Sequence, residues 1–288
     1  MINKDLEAQV KLLEDPDLQI YRMVKPTIVN QGSEIIPYLE TVWGNSLLPI
    51  VHSRIEDIIH TINFTQVLLH AEKWVDTGRK DWLSILLTIS KVYFQAIDES
   101  LLKSQFEQIK REIWLELNDN LTAFEKIQIV NYIIYKKHKI KRINQTKPDG
   151  KPFFVSEVLT HKKGNDYSLG LFYKVLCQSL DLPVYGIDLP GNFILAYLNT
   201  NHVNWANQNA EDVLFYINPF NNGAVFGHQE IEQYIEKNKL KVTENQLNPT
   251  SNIMILKSYF SLIQENLKSN NEFEKADELE QLMKIILL

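Results

Sequence analysis

Apolar residues recur at helical spacing along most of the chain, and runs typical of strands are confined to one stretch past its middle. The first stripe is Leu18, Tyr21, Val24 and Ile28, three and four residues apart as on one face of a helix. Asp15 is expected to cap it, with Pro16 at the first helical position, where a missing N–H goes unnoticed. Gly32 should end it. Ser33 then reads as the cap of a second helix carrying Ile35, Ile36, Leu39 and Val42 and stopping near Gly44. Two short helices joined in this way form a helical hairpin that resembles a HEAT-type repeat. Further stripes predict helices at about 47–62, 65–76, 81–95, 99–117 and 122–138, with Trp74, Trp82 and Trp114 on inner faces. The basic run Lys136–Arg142 reads as a helix C-terminus, where cations suit the dipole, and Lys147-Pro148-Asp149-Gly150 as a turn.

After Gly164 the pattern changes. A helix over about 167–180 is followed by strand-like runs at Val184–Ile187, Phe193–Leu198 and Val213–Ile217, with a polar, Asn-rich loop between the last two. Helices are expected again at about 228–237 and 252–287. In the latter, Ser251 caps a stripe of Ile255, Tyr259, Leu262 and Ile263, and a second helix presents Phe273, Ala276, Leu279 and Met283. This terminal pair resembles a tetratricopeptide-type hairpin.

Composition supports a folded, helix-rich protein. Apolar residues make up 44% and charged residues 23% of the 288 positions, with ten Gly and ten Pro. The net charge of −6 argues against a general nucleic-acid binder, which needs a dominant basic face. One cysteine, Cys177, excludes an internal disulfide and any multi-cysteine metal site. The stretch Met1-Ile2-Asn3-Lys4-Asp5 lacks the apolar core of a signal peptide, and runs such as Ile85-Leu86-Leu87 are too short to span a bilayer. A cytoplasmic location is therefore expected.

Common catalytic motifs are missing: there is no GxGxxG, P-loop or HExxH. In Asp166-Tyr167-Ser168-Leu169-Gly170, Asp166 stands where a hydrolase elbow needs its first glycine. What does stand out is an ordered set of three segments. Lys163-Gly164-Asn165-Asp166-Tyr167-Ser168-Leu169 opens an apolar helix that closes at Leu180-Asp181-Leu182-Pro183. Pro190-Gly191-Asn192-Phe193 opens a strand, and Phe215-Tyr216-Ile217-Asn218-Pro219-Phe220 closes another.

These segments resemble the transglutaminase-like superfamily, and within it the SirB1-like branch of bacterial proteins. Arg111–Leu117, Glu125-Lys126-Ile127 and Asn131 are similar to that branch's helical lead-in, so the resemblance covers roughly residues 105–288. It implies a cysteine at the helix start, a histidine on the first following strand and an aspartate on the next. A helix N-terminus and a paired imidazole together activate such a thiol. Here those positions hold Asp166, Asn192 and Asn218, an aspartate that is a poor nucleophile and two amides that cannot act as bases.

Cys177 reads as a small core residue, and His202 and His228 fall in expected loops. The expectation is an α+β, mainly helical protein: a helical region at 1–145, a transglutaminase-like domain at 146–240 and a helical hairpin at 241–288. Its expected function is non-catalytic protein or peptide binding or regulation, with a possible binding cleft at Asp166, Ser168, Asn192 and Asn218. No catalytic residue, metal, cofactor, nucleic-acid or membrane partner is expected. The alternatives are a cysteine-independent hydrolase or acyltransferase, and a small-molecule module using the same cleft. Pro190-Gly191 and Pro219 also read as plain turn punctuation, and the asparagines as partners for strand-end backbone.

Overall fold

The computed structural model describes residues 4–94, 97–143, 154–189, 191–199, 210–237, 239 and 247–287. The chain divides into two compact units, Met1–Lys73 and Trp74–Leu288.

The first unit contains α1 (Lys4–Lys11), α2 (Leu18–Val29), α3 (Ile36–Asn45) and most of α4 (Pro49–Asp76). The cap of α2 is Asp17 rather than Asp15. Its carboxylate accepts from the Gln19 amide at 2.7 Å, while Asp15 accepts from the Asp17 amide. Ser33 lies inside a 3₁₀ turn, Gly32–Ile35, and α3 starts at Ile36 without a side-chain cap. The two helices expected over 47–76 are one, because no Gly or Pro interrupts the run after Pro49. Leu13, Ile28, Leu39, Ile55 and Ile58 form the centre of this unit's core. Arg54 is buried among them, stacks on the Tyr21 ring at 4.8 Å and donates to the carbonyls of Leu13 and Asp15.

The second unit continues with α5 (Trp82–Lys91), α6 (Glu99–Glu116) and α7 (Ala123–Asn131), capped by Asp81, Asp98 and Thr122. Thr122 and Glu125 form a reciprocal capping box, which satisfies two free amides of the first turn. On α6 the buried stripe is Leu102, Phe106, Ile109 and Ile113. Trp114 stands one position off that stripe and is 65% exposed, so its expected inward placement is corrected. Beyond Asn131 the helix widens into a π turn, Tyr132–Lys137.

β1 (Lys141–Arg142) then pairs in parallel with β2 (Lys163–Gly164), which follows α8 (Val155–His161). The turn expected at Lys147–Gly150 lies outside the described residues. Helix α9 (Asp166–Gln178) leads into an antiparallel sheet of β3 (Val184–Leu189), β4 (Asn192–Leu198), β5 (Val213–Asn218) and β6 (Ala224–Phe226), in that order.

Because side chains alternate across a strand, the register sorts the sheet's two faces. Ile187, Leu189, Ile194, Ala196 and Tyr216 share one face, covered by Ile231, Tyr234 and Ile235 of α10 (His228–Lys237). His228 is thus the first residue of a helix, not part of a loop. The opposite face carries Phe193 and packs on α9. A Cβ at Gly170 would sit 2.2 Å from the Phe193 ring, so only glycine allows the helix this close.

Helices α11 (Asn252–Ser269) and α12 (Phe273–Leu287) pack together, with Ser251 capping α11 as expected. Phe273 is exposed, and Ala276, Leu279, Leu282 and Ile286 form the buried face of α12. The result is an α+β architecture dominated by helices.

Two titratable groups of α9 lie deep in the unit. Lys174 is 1% exposed, donates to Gln178 at 3.1 Å and sits 5.2 Å over the Trp82 ring. Burial pushes its ammonium pKa down to about 7. Cys177 is fully buried, and burial pushes its thiol up.

Candidate functional site

The site begins at the entry to α9. Pairing of β1 with β2 fixes this entry: the Lys141 amide donates to Lys162 O at 2.8 Å and the Ile143 amide to Gly164 O at 2.9 Å. Asn165 is the cap. Its side chain accepts from the Ser168 amide at 2.9 Å, and the Ser168 hydroxyl accepts from the Asn165 amide at 3.0 Å. Ser168 is therefore wholly buried in the cap, and its hydroxyl serves the helix start rather than lining an open cleft.

Asp166 is the first residue of the helix. Burial raises its carboxyl pKa to about 6, and the nearby Arg142 guanidinium opposes that rise. Its Oδ1 is buried with no hydrogen-bond partner among the described residues. The N-terminal dipole favours a negative charge here, yet desolvation outweighs it.

Asn192 and Asn218 stand at the same end of the sheet, at the start of β4 and the end of the antiparallel β5. The pair Leu195–Ile217, extended by one step, sets Ile194 opposite Asn218. Asn192, two residues earlier, then lies diagonally across on the same face.

Two side chains lie near Asp166 and beside these strand ends. Tyr234 of α10 donates to Asn192 Oδ1 at 3.0 Å, and its phenol pKa is raised to about 12 by burial and by the charge of Asp166. Arg142 lies 5.2 Å over the ring of Phe220 as well as close enough to Asp166 to lower its pKa. Phe220 belongs to the 3₁₀ turn Pro219–Asn221, which Asn218 caps by accepting from the Asn221 amide at 3.1 Å. Beneath this layer the Tyr167 hydroxyl donates to Asp188, and the Tyr167 ring stacks on Phe193 at 5.0 Å.

The turn after β5 is held from behind by Asn131. Its Nδ2 donates to Gly223 O at 2.8 Å and its Oδ1 accepts from Tyr173 at 2.9 Å. Gly223 has φ +70°, and a Cβ there would meet Asn131 Oδ1 at 1.8 Å. Tyr135 adds a hydrogen bond to Pro219 O at 2.8 Å.

Tyr234 thus stands between Asn192 and Asp166, and Arg142 between Asp166 and the turn that Asn218 caps; the sequence reading missed both Tyr234 and Arg142. Arg142 was hidden in a basic run read as a helix end. Tyr234 gave only the signal of its place beside Ile231 and Ile235 on an apolar face.

The model of the transglutaminase-like superfamily matches residues 101–259, more than half of the chain. This protein belongs to the transglutaminase-like superfamily. No curated protein and no solved structure matches it. Arg142, Asp166, Asn192, Asn218 and Tyr234 all fall within the transglutaminase-like segment, which runs from α6 into α11.

Cys177 stands eleven residues past Asp166, about 16 Å along the axis at 1.5 Å per residue. Among the described histidines, His228 bonds Val213 O at 2.8 Å, His138 pairs with Glu112 at 2.6 Å and His161 with Glu157 at 3.5 Å; His202 lies outside the described residues. No group of three or more His, Cys, Asp or Glu that could hold a metal ion occurs among the described residues. No described helix is long and apolar enough to cross a membrane. Chemically, the transglutaminase-like site offers a protonatable carboxyl, two amides that donate and accept, a phenol and a guanidinium, all suited to hydrogen-bonded recognition.

Proposed function

We propose that this transglutaminase-like protein is a member of the SirB1-like branch that binds a protein or peptide without catalysing acyl transfer. The observation that carries this reading is the set of residues at the helix start and on the two strands: Asp166, Asn192 and Asn218 stand where the resemblance calls for a cysteine, a histidine and an aspartate. Covalent acyl transfer needs a thiolate and a base to activate it. A carboxyl of pKa about 6 is a weak acyl nucleophile, and a carboxamide takes up no proton in this pH range. The same groups make good hydrogen-bond partners for a peptide backbone, which offers alternating donors and acceptors. The HEAT-like and tetratricopeptide-like hairpins supply further helical surface of the kind used for protein contacts, and the reducing cytoplasm suits a chain whose one thiol is buried.

The test has two arms on the intact chain. Glutamine–amine exchange and generic peptide hydrolysis should stay at the uncatalysed rate, and turnover abolished by iodoacetamide would sink the reading. Peptide-display selection should enrich sequences whose binding is lost in Asn192→Trp, which fills the space beside Tyr234. Equal enrichment on both proteins, or none, would place the binding surface elsewhere or remove it.

A further inference from the structure

Asn222-Gly223 is the one Asn-Gly step in the sequence, and the fold leaves little choice at either position. Asn222 is exposed and left-handed, with φ 52° and ψ 35°, a conformation that asparagine tolerates better than most residues. At Gly223 the φ is also positive, and Asn131 fills the space that a side chain there would need. The same dipeptide is chemically labile. A glycine nitrogen has no side chain beside it, so it can attack the carboxamide carbon of the residue before it. The Gly223 amide first gives up its proton to hydroxide. The nitrogen then bonds to Asn222 Cγ, the Cγ–Nδ2 bond breaks, and ammonia leaves with a proton taken from water. Water reopens the resulting succinimide ring at Cγ, giving aspartate, or at the backbone carbonyl, giving isoaspartate.

Ring closure needs Asn222 Cβ and the Gly223 nitrogen eclipsed about the Cα–C bond. At ψ 35° tetrahedral geometry sets them nearly opposite. The nitrogen is also engaged, because the Gly223 amide donates to Asn218 O at 3.0 Å. Asn131 Nδ2 holds Gly223 O at 2.8 Å and the Tyr135 hydroxyl holds Pro219 O at 2.8 Å, so the turn is fastened at both ends. We propose that Asn222 is a deamidation site that this turn keeps locked, and that opening of the turn sets the rate of modification. The product bears a carboxylate in the turn whose Phe220 ring lies under the Arg142 guanidinium. Isoaspartate also adds a backbone atom ahead of Gly223 and moves its carbonyl off Asn131, so that form does not rebuild the same turn.

The intact protein is incubated at mildly alkaline pH, native or in urea. The Asp212–Glu230 fragment is then released by a glutamate-specific protease and sequenced by mass spectrometry. In urea Asn222 should convert ahead of Asn218 and Asn221. In the native protein it should convert at least about tenfold more slowly, since only the opened fraction reacts. Asn131→Ala should hasten the native reaction about fivefold by removing one clamp, and leave the rate in urea unchanged. Should that variant misfold, Tyr135→Phe loses the bond to Pro219 O and should hasten the native reaction about threefold. Equal native and unfolded rates would overturn the proposal. So would a native rate that neither variant raises, or conversion of Asn221 ahead of Asn222 in urea.

Discussion

Replacing Asp166 with Asn changes one buried ionisable group into a neutral one of the same shape. The carboxyl titrates near 3.8 in the ordinary state and at about 6 in the fold, raised by burial against the opposing charge of Arg142. Below pH 3.8 both states are protonated and burial costs nothing. Between 3.8 and 6 the folded state holds a proton that the unfolded state has released, so stability falls as pH rises. Above 6 the loss is complete. A difference of about 2.2 pKa units at 1.36 kcal/mol each gives roughly 3 kcal/mol in total. About 2 kcal/mol of that develops between pH 4.5 and 7.5, from the ratio of the two titration curves. Asp166→Asn lacks this titration, so its stability relative to the parent should climb by about that amount over the same interval. Urea unfolding of both proteins at half-unit pH steps measures the difference directly, and titrations of other groups cancel in the subtraction. A difference that stays flat from pH 4.5 to 7.5 would mean that the carboxyl is solvated and that the helix entry is not the dry site described above.

Lys174→Met should stabilise the protein, and more at pH 6 than at pH 9.5. With the folded ammonium at about 7, the cost of a buried charge is complete below that pH and fades as both states lose the proton above it; an equal gain at both pH values, read by thermal melting, would count against it. Cys177 should resist iodoacetamide in the native state and react once the chain is unfolded in urea, since its thiol is fully buried and its pKa raised; mass spectrometry of labelled protein decides this. Gly170→Ala should lose about 1–3 kcal/mol through overpacking against Phe193, and a loss under about 0.5 kcal/mol in urea would show that the helix shifts freely off the sheet.

Much of the fold was legible because its local signals agree. The stripe Leu102, Phe106, Ile109, Ile113 and the caps Thr122 and Ser251 are set by neighbours a few residues away. Errors arose where a local rule had two solutions. Asp15 and Asp17 both suit a cap, and the chain settles on the one next to Leu18. Trp114 adjoins a strong apolar face, and a shift of one position on a helix turns a side chain by about 100°. The grouping of Asp166, Asn192 and Asn218 was expected only through family resemblance, since their separations in sequence say nothing of sheet register. Arg142 and Tyr234 reach the site through a parallel strand pair and a helix crossing the sheet, contacts without a local signature.

The π turn at Tyr132–Lys137 bears on how this chain tolerates changes in length. Such a turn holds one residue more than the α turn it replaces, so it is a slot in which an extra residue has been taken up without breaking the helix. Removing one residue there, by deletion of Lys136 for instance, would let the segment close into a regular helix. Everything downstream would then swing by about 100° about the helix axis. His138 would leave Glu112, and Arg142 would arrive at β2 facing the wrong way for Phe220 and Asp166. The surplus residue therefore sets the azimuth at which the guanidinium meets the site. A homologue shorter by one residue in this turn would have to deliver its cation by another route or do without it.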